Sequence, residues 1–162
     1  MFGLDTGAFV LIDVAAGKQE RVNSIHSQTC GEIKGVFLVP YNVEGSVPFR
    51  ILSVSQSGEV NVWMPGDVKT QQVLNEEVTH VDMKHVNNDS VLLIGTKGGF
   101  MHTYTVTNGR VQPLGVIREY GNKSPNLKFN VLGACLLKIF SGNLCVLAAK
   151  SYGDIGIWKV QL

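Results

Sequence analysis

Two short runs in this 162-residue chain have the composition of chemical sites. Asp5-Thr6-Gly7 is a turn that presents a carboxylate, and two such carboxylates sharing one proton make an acid/base pair. The run occurs once, so the chemistry lacks its second partner. Gly95-Thr-Lys-Gly-Gly has the residues of a phosphate cradle, but such a cradle needs a helix N-terminus behind it and no helix is predicted there. The four histidines, His26, His80, His85 and His102, are scattered. His80 and His85 stand five apart around a predicted strand end and point to opposite faces or into a loop. Cys30, Cys135 and Cys145 are an odd number at spacings that match no zinc module or disulfide framework. Cys135 and Cys145 fall in predicted buried strands, where free cysteine packs as a small hydrophobe. No HExxH, Gly-rich phosphate loop or GxSxG run is present. The sequence therefore assigns no catalytic, cofactor or metal residue, and no enzyme is expected.

The elements that position these residues are announced by glycine. A glycine is followed five residues later by a bulky apolar residue four times: Gly7 to Ile12, Gly58 to Trp63, Gly99 to Tyr104 and Gly153 to Trp158. The glycines stand 51, 41 and 54 residues apart, a spacing at which each repeat makes one four-stranded propeller blade. Apolar stretches precede them (Phe49 to Val54, Val91 to Ile94, Leu144 to Ala149). Apolar residues two and four positions on follow them: Phe9 and Leu11, Val60 and Val62, Ile155 and Ile157. Met101 and Thr103 fit this alternation less well. Strand, glycine turn and strand is the reading, because glycine supplies the positive φ of a short hairpin. A further alternating run lies upstream, for example Val78, Val81 and Met83, and a polar outer strand downstream, such as Lys69 to Leu74. The fold class is all-β, a propeller segment of about three and a half four-stranded antiparallel blades. These are expected over residues 1–22 (partial), 25–74, 77–112 and 129–162 (without an outer strand) of a single domain, 1–162.

On these residues the chain resembles the WD-repeat family, in a divergent form. Val78-Thr-His-Val-Asp-Met, then Asn87-Asn-Asp, then Val91-Leu-Leu-Ile-Gly-Thr-Lys-Gly-Gly follow that family's first strand, turn, second strand and glycine turn. Asn61-Val-Trp63 and Gly156-Ile-Trp158 match the close of its third strand. The Trp-Asp dipeptide that names the family is absent, since Trp63 is followed by Met64 and Trp158 by Lys159. The Gly-His pair that opens a repeat is absent as well, so the family's Asp-His-Ser-Trp hydrogen-bond network cannot be complete. The resemblance implies a C-terminal part of a propeller: the last repeat supplies three strands and the first begins inside a blade. Ring closure would then need other blades, in cis or in trans, as partners.

Composition agrees with strands buried on two faces. Hydrophobic residues make up 44% and charged residues 17%, ample apolar surface for one core. The 14 basic and 13 acidic side chains nearly cancel, so no general field favours nucleic acid or an anionic membrane. Without a charged leader and apolar core segment, or an apolar run near 18 residues, the expected location is intracellular, cytoplasmic or nuclear.

The least repeat-like stretch, Gly109 to Phe129, connects an outer strand to the next inner strand. It carries Arg118, Tyr120 and Lys123, residue types that dominate binding hot spots, beside the plainer reading of a solvated insertion. The expected function is a non-catalytic protein-interaction scaffold in a larger propeller or complex, with protein partners. The alternative is a non-catalytic propeller subunit of an RNA-processing or RNA-modifying complex.

Overall fold

Among the described residues the alternating runs form fourteen strands in four antiparallel sheets, as seen in a computed structural model. The structure describes residues 2–3, 9–13, 15–22, 30–41, 49–64, 67–86, 89–118, 131–138, 143–150 and 153–162. Asp5-Thr6-Gly7, His26, Tyr120 and Lys123 lie outside the described residues. The first sheet is β1 (Phe2–Gly3), β2 (Phe9–Asp13) and β3 (Lys18–Val22). The second is β4 (Ile33–Pro40), β5 (Phe49–Ser55), β6 (Glu59–Met64) and β7 (Asp67–Gln72). The third is β8 (Val78–Val86), β9 (Asp89–Thr96), β10 (Met101–Thr107) and β11 (Arg110–Ile117). The fourth is β12 (Val131–Lys138), β13 (Leu144–Lys150) and β14 (Ile155–Lys159). Each sheet is a meander in which consecutive strands pair. The first strand of each sheet lies against the first strand of the next, β1 on β4, β4 on β8 and β8 on β12. Meanders ranged radially about a line of inner strands are the arrangement of a β-propeller, and the chain is a segment of one.

The repeat is written into the backbone at two places. Gly58, Gly99 and Gly153 adopt φ of 84°, 82° and 84°, a left-handed conformation that costs an L side chain about 1–2 kcal/mol. The Gly58 amide donates to the Ser55 carbonyl at 3.1 Å and the Gly99 amide to Thr96 at 3.0 Å, which closes the same tight hairpin twice. At Gly58 a Cβ would also stand 2.7 Å from the Leu74 carbonyl oxygen. The second mark is a bulge near the start of every described four-residue-or-longer inner strand. Pairing shifts register between Ile33 and Gly35, between Val78 and His80, and between Val131 and Gly133. A bulge at a constant place bends each inner strand alike and sharpens its twist.

Between the second and third sheets lies a core of Val39, Leu52, Val54, Val60 and Val62 against Met83, Leu92, Ile94, Tyr104 and Val106. Between the third and fourth, Val91, Leu93 and Met101 meet Leu136, Leu144, Val146, Ala148 and Val160. Strand β9 is thus packed on both faces, with every residue from Ser90 to Thr96 buried. Its run Val91-Leu-Leu-Ile94 is continuous rather than alternating for that reason. Met101 and Thr103, poor fits to the sequence pattern, are buried in the same positions as Val60 and Val62. Cys145 and Cys30 are buried, but Cys135 is exposed. The expectation of a buried Cys135 fails because its side of β12 faces away from the third sheet.

The repeated aromatic is anchored three different ways. Trp63 Nε1 donates to Ser53 Oγ at 3.0 Å, one link of the four-residue network that the family resemblance brings to mind. The Tyr104 hydroxyl donates to the Val73 carbonyl at 3.2 Å. Trp158 lays its indole over the space where a Gly156 side chain would stand.

Candidate functional site

Strand β10 begins directly after the Gly99 turn, so the residues at its start are lifted to one rim of the sheets. Phe100 and His102 meet edge to face at 6.3 Å, and His102 stacks on Tyr104 at 6.5 Å. Where β11 ends, Arg118 returns to this rim and places its guanidinium 5.4 Å over the Phe100 ring, within cation–π range. Arg118 is exposed. It stands at the mouth of the long connection that carries Tyr120 and Lys123. Of the three residues singled out in the sequence, the structure therefore places one, beside an aromatic the sequence reading passed over. Phe100 was hidden because it follows a turn glycine and sits outside the alternating pattern.

The same rim is braced by side chains from two sheets. The Val78 amide donates to the Gln56 carbonyl at 2.7 Å and the Lys97 amide to the Glu77 carbonyl at 2.9 Å. Lys97 Nζ approaches Glu77 Oε2 at 2.7 Å, and Gln56 Nε2 donates to Glu77 Oε1 at 3.2 Å. Lys97 first, then Gln56, hold the Glu77 carboxyl below the usual carboxylate range. Thr96 Oγ1 donates to Glu76 Oε2 at 2.8 Å. His102 is held below its ordinary pKa chiefly by burial; Arg118 adds to this and Glu76 opposes it. Its Nε2 is buried without a hydrogen-bond partner. Burial and then Glu76 push the Tyr104 phenol up to about 12.

Gly95-Thr-Lys-Gly-Gly is the end of β9 and the hairpin into β10, with no helix behind it. His80 lies near the start of β8 and His85 one residue before its end at Val86. His80 Nε2 meets the Leu132 carbonyl at 2.8 Å and His85 Nδ1 meets Ser90 Oγ at 2.8 Å. The sequence places Asp82 in the first strand of its repeat and gives it no role. Its Oδ2 accepts the Leu136 amide at 2.7 Å and its Oδ1 the Met83 amide at 2.8 Å. His80 and Asp82 thus tie β8 to β12 at the inner strands, and no local pattern signals a bond across 52 or 54 residues.

The opposite rim offers a recess of about 430 Å³ lined by Tyr41, Lys69, Thr107, Asn108, Arg110 and Gln112. The Arg50 guanidinium lies 4.0 Å over the Tyr41 ring behind it. Among the described residues no three His, Cys, Asp or Glu side chains gather as a metal would require.

No known protein family matches the sequence, and no curated protein is recognisably similar to it. Among solved structures, the chain is similar to a crystal structure of BBS1N in complex with ARL6DN soaked with mercury. The identity is 12% and the TM-score 0.48, over 88% of this chain and 41% of that one. The lead-soaked crystal of the same complex gives 11% identity and a TM-score of 0.48, over 90% and 44%. The chain spans less than half the length of either. With likeness that faint, the propeller assignment rests on this chain's own sheet order, turn glycines and inner-strand bulges, and the WD-repeat likeness stays a resemblance.

Proposed function

We propose that this chain is a non-catalytic protein-interaction scaffold, a WD-repeat-like propeller segment acting within a larger assembly inside the cell. The observation that carries the reading is the exposed Arg118 guanidinium over Phe100 at a braced rim. Arginine and aromatic side chains held together at a surface are the usual anchors of protein interfaces, and truncating such an anchor costs about 2 kcal/mol or more of binding. The residues nearby are fixed by turn hydrogen bonds rather than aimed at a reacting group, which suits recognition better than catalysis. The shared turn geometry of Gly58, Gly99 and Gly153 and the Trp63 to Ser53 bond support the WD-repeat likeness. Nothing in the comparisons favours the RNA-processing alternative.

The test is a quantitative pull-down from native extract with the wild-type chain and the double variant Arg118→Ala with Tyr120→Ala. Loss of specific partners at unchanged thermal stability is expected, because surface anchors contribute to binding and little to folding. Equal recovery of every partner by the variant returns the long connection to a solvated insertion.

A further inference from the structure

The recess on the rim opposite Arg118 is built by strand ends of two sheets, and one turn fixes its place. β10 and β11 are joined by Asn108-Gly109 alone, since Thr107 pairs with Arg110. Both turn residues take positive φ, 48° and 74°, the condition for a two-residue type I′ hairpin. Gly109 is buried, and a Cβ there would stand 3.3 Å from Val62 Cγ1 and 3.8 Å from Tyr41 Cε2. The turn of the third sheet is therefore seated on the second. The Gln71 side chain ties the two outer strands together as well, by accepting the Val111 amide at 3.2 Å. Tyr41 is held by Arg50, whose guanidinium stacks on the ring and donates to the Phe49 carbonyl at 3.0 Å.

Positive charge and hydrogen-bond donors are what this recess presents to a ligand. Lys69 comes from β7 of the second sheet; Arg110 and Gln112, the exposed neighbours of buried Val111, come from β11 of the third. Thr107 Oγ1 donates to Asp89 Oδ1 at 2.7 Å, which holds that carboxylate at the hairpin. The described ion pairs, Lys34 with Glu32 and Lys97 with Glu77, involve neither Lys69 nor Arg110. We propose that this recess binds a phosphate monoester carried on a side chain of a partner protein. One lysine and one arginine match a group of about −1.5 to −2 charge at pH 7 better than the single charge of a carboxylate. The acceptor oxygens of a phosphate also suit the arginine fork and the ammonium together. The charge of the whole chain decides the source. With 14 basic against 13 acidic side chains, the chain lacks the broad basic surface that an anionic membrane or a nucleic-acid backbone requires. Tyr41 is the one ring in a described lining that is otherwise polar, unlike the mainly apolar pockets that enclose small molecules. The inference goes beyond the scaffold reading and uses none of its residues.

The test is capture of degenerate peptide libraries by the immobilised full chain, one library centred on phosphoserine, one on serine and one on glutamate. The phosphoserine library should be retained severalfold over both others, and inorganic phosphate should compete with it. Lys69→Gln and Arg110→Gln should each weaken capture about tenfold or more, the size of a hydrogen bond to a charged group. Both side chains are exposed, so the thermal midpoint should stay within about 2 °C. Removing two charges from the fourth sheet, by Lys138→Gln with Lys159→Gln, should leave capture unchanged. Arg118→Ala with Tyr120→Ala should leave it unchanged too, so this reading and the scaffold reading fail separately. Equal retention of the phosphoserine and serine libraries overturns the proposal. Glutamate retained as well as phosphoserine makes the recess a carboxylate site and overturns it, as does an equal loss in the fourth-sheet variant. Binding to phosphatidylserine vesicles that Lys69→Gln and Arg110→Gln abolish, without phosphopeptide capture, assigns the recess to a membrane and overturns it as well.

Discussion

His102 sits where a sheet rim becomes a core, and its imidazole is the described group best placed to report that position. Burial holds it neutral in the folded chain at a pH where the unfolded chain binds a proton. The sign follows by linkage: a depressed histidine pKa gives stability that is full above the unfolded value of about 6.5 and declines as pH falls below it. The thermal midpoint should therefore drop between pH 7.5 and 5.5, roughly the range spanning that value, and His102→Gln should flatten part of the drop. Equal slopes in the two proteins would mean that the imidazole is solvated. The histidine itself was visible in the sequence, but its environment was not, because Glu76 and Arg118 reach it from 26 and 16 residues away in the chain.

At the scale of elements, neighbouring sheets are joined through their inner strands as well as their apolar faces. Asp82 is one such joint, since its carboxylate accepts one amide from its own strand and one from β12. Removing a partner from a buried amide costs about 1–3 kcal/mol, more when the lost group is charged. Asp82→Ala should lower stability by that amount, and Asp82→Asn, which keeps one acceptor oxygen, by less. Denaturant unfolding of the two variants checks the order; equal and negligible effects would show that the inner strands are held by packing alone. The strands and their glycine turns were legible because period-two alternation and positive φ are local requirements. The Asp82 joint was not, since an aspartate in a strand looks the same whether it meets solvent or a neighbour's backbone.

Over the whole molecule, the third sheet is the element that the two described apolar cores share. Leu92 and Leu93 are adjacent, both wholly buried, and face opposite neighbours, Leu92 the second sheet and Leu93 the fourth. Each substitution to alanine should cost about 2–5 kcal/mol. If the second, third and fourth sheets unfold together, both variants lower one common transition by calorimetry. Two separate transitions, each moved by only one variant, would show that the interfaces break independently, as repeat arrays with weak neighbour coupling do.

The amino-acid order by itself determined most of the strands, the hairpin glycines and the all-β propeller class, because each depends on residues within a few positions of one another; the outer strand β11, Arg110–Ile117, read mostly as part of the connection from Gly109 to Phe129. Which residues face water was a different matter. Val60 and Ile155 occupy equal places in equal repeats, yet one is sealed and the other bare, and Cys135 is exposed though its strand reads as buried. Burial is a property of what lies on the far side of a sheet, about 10 Å away across an interface and dozens of residues off in the chain. Tertiary structure alone decides it.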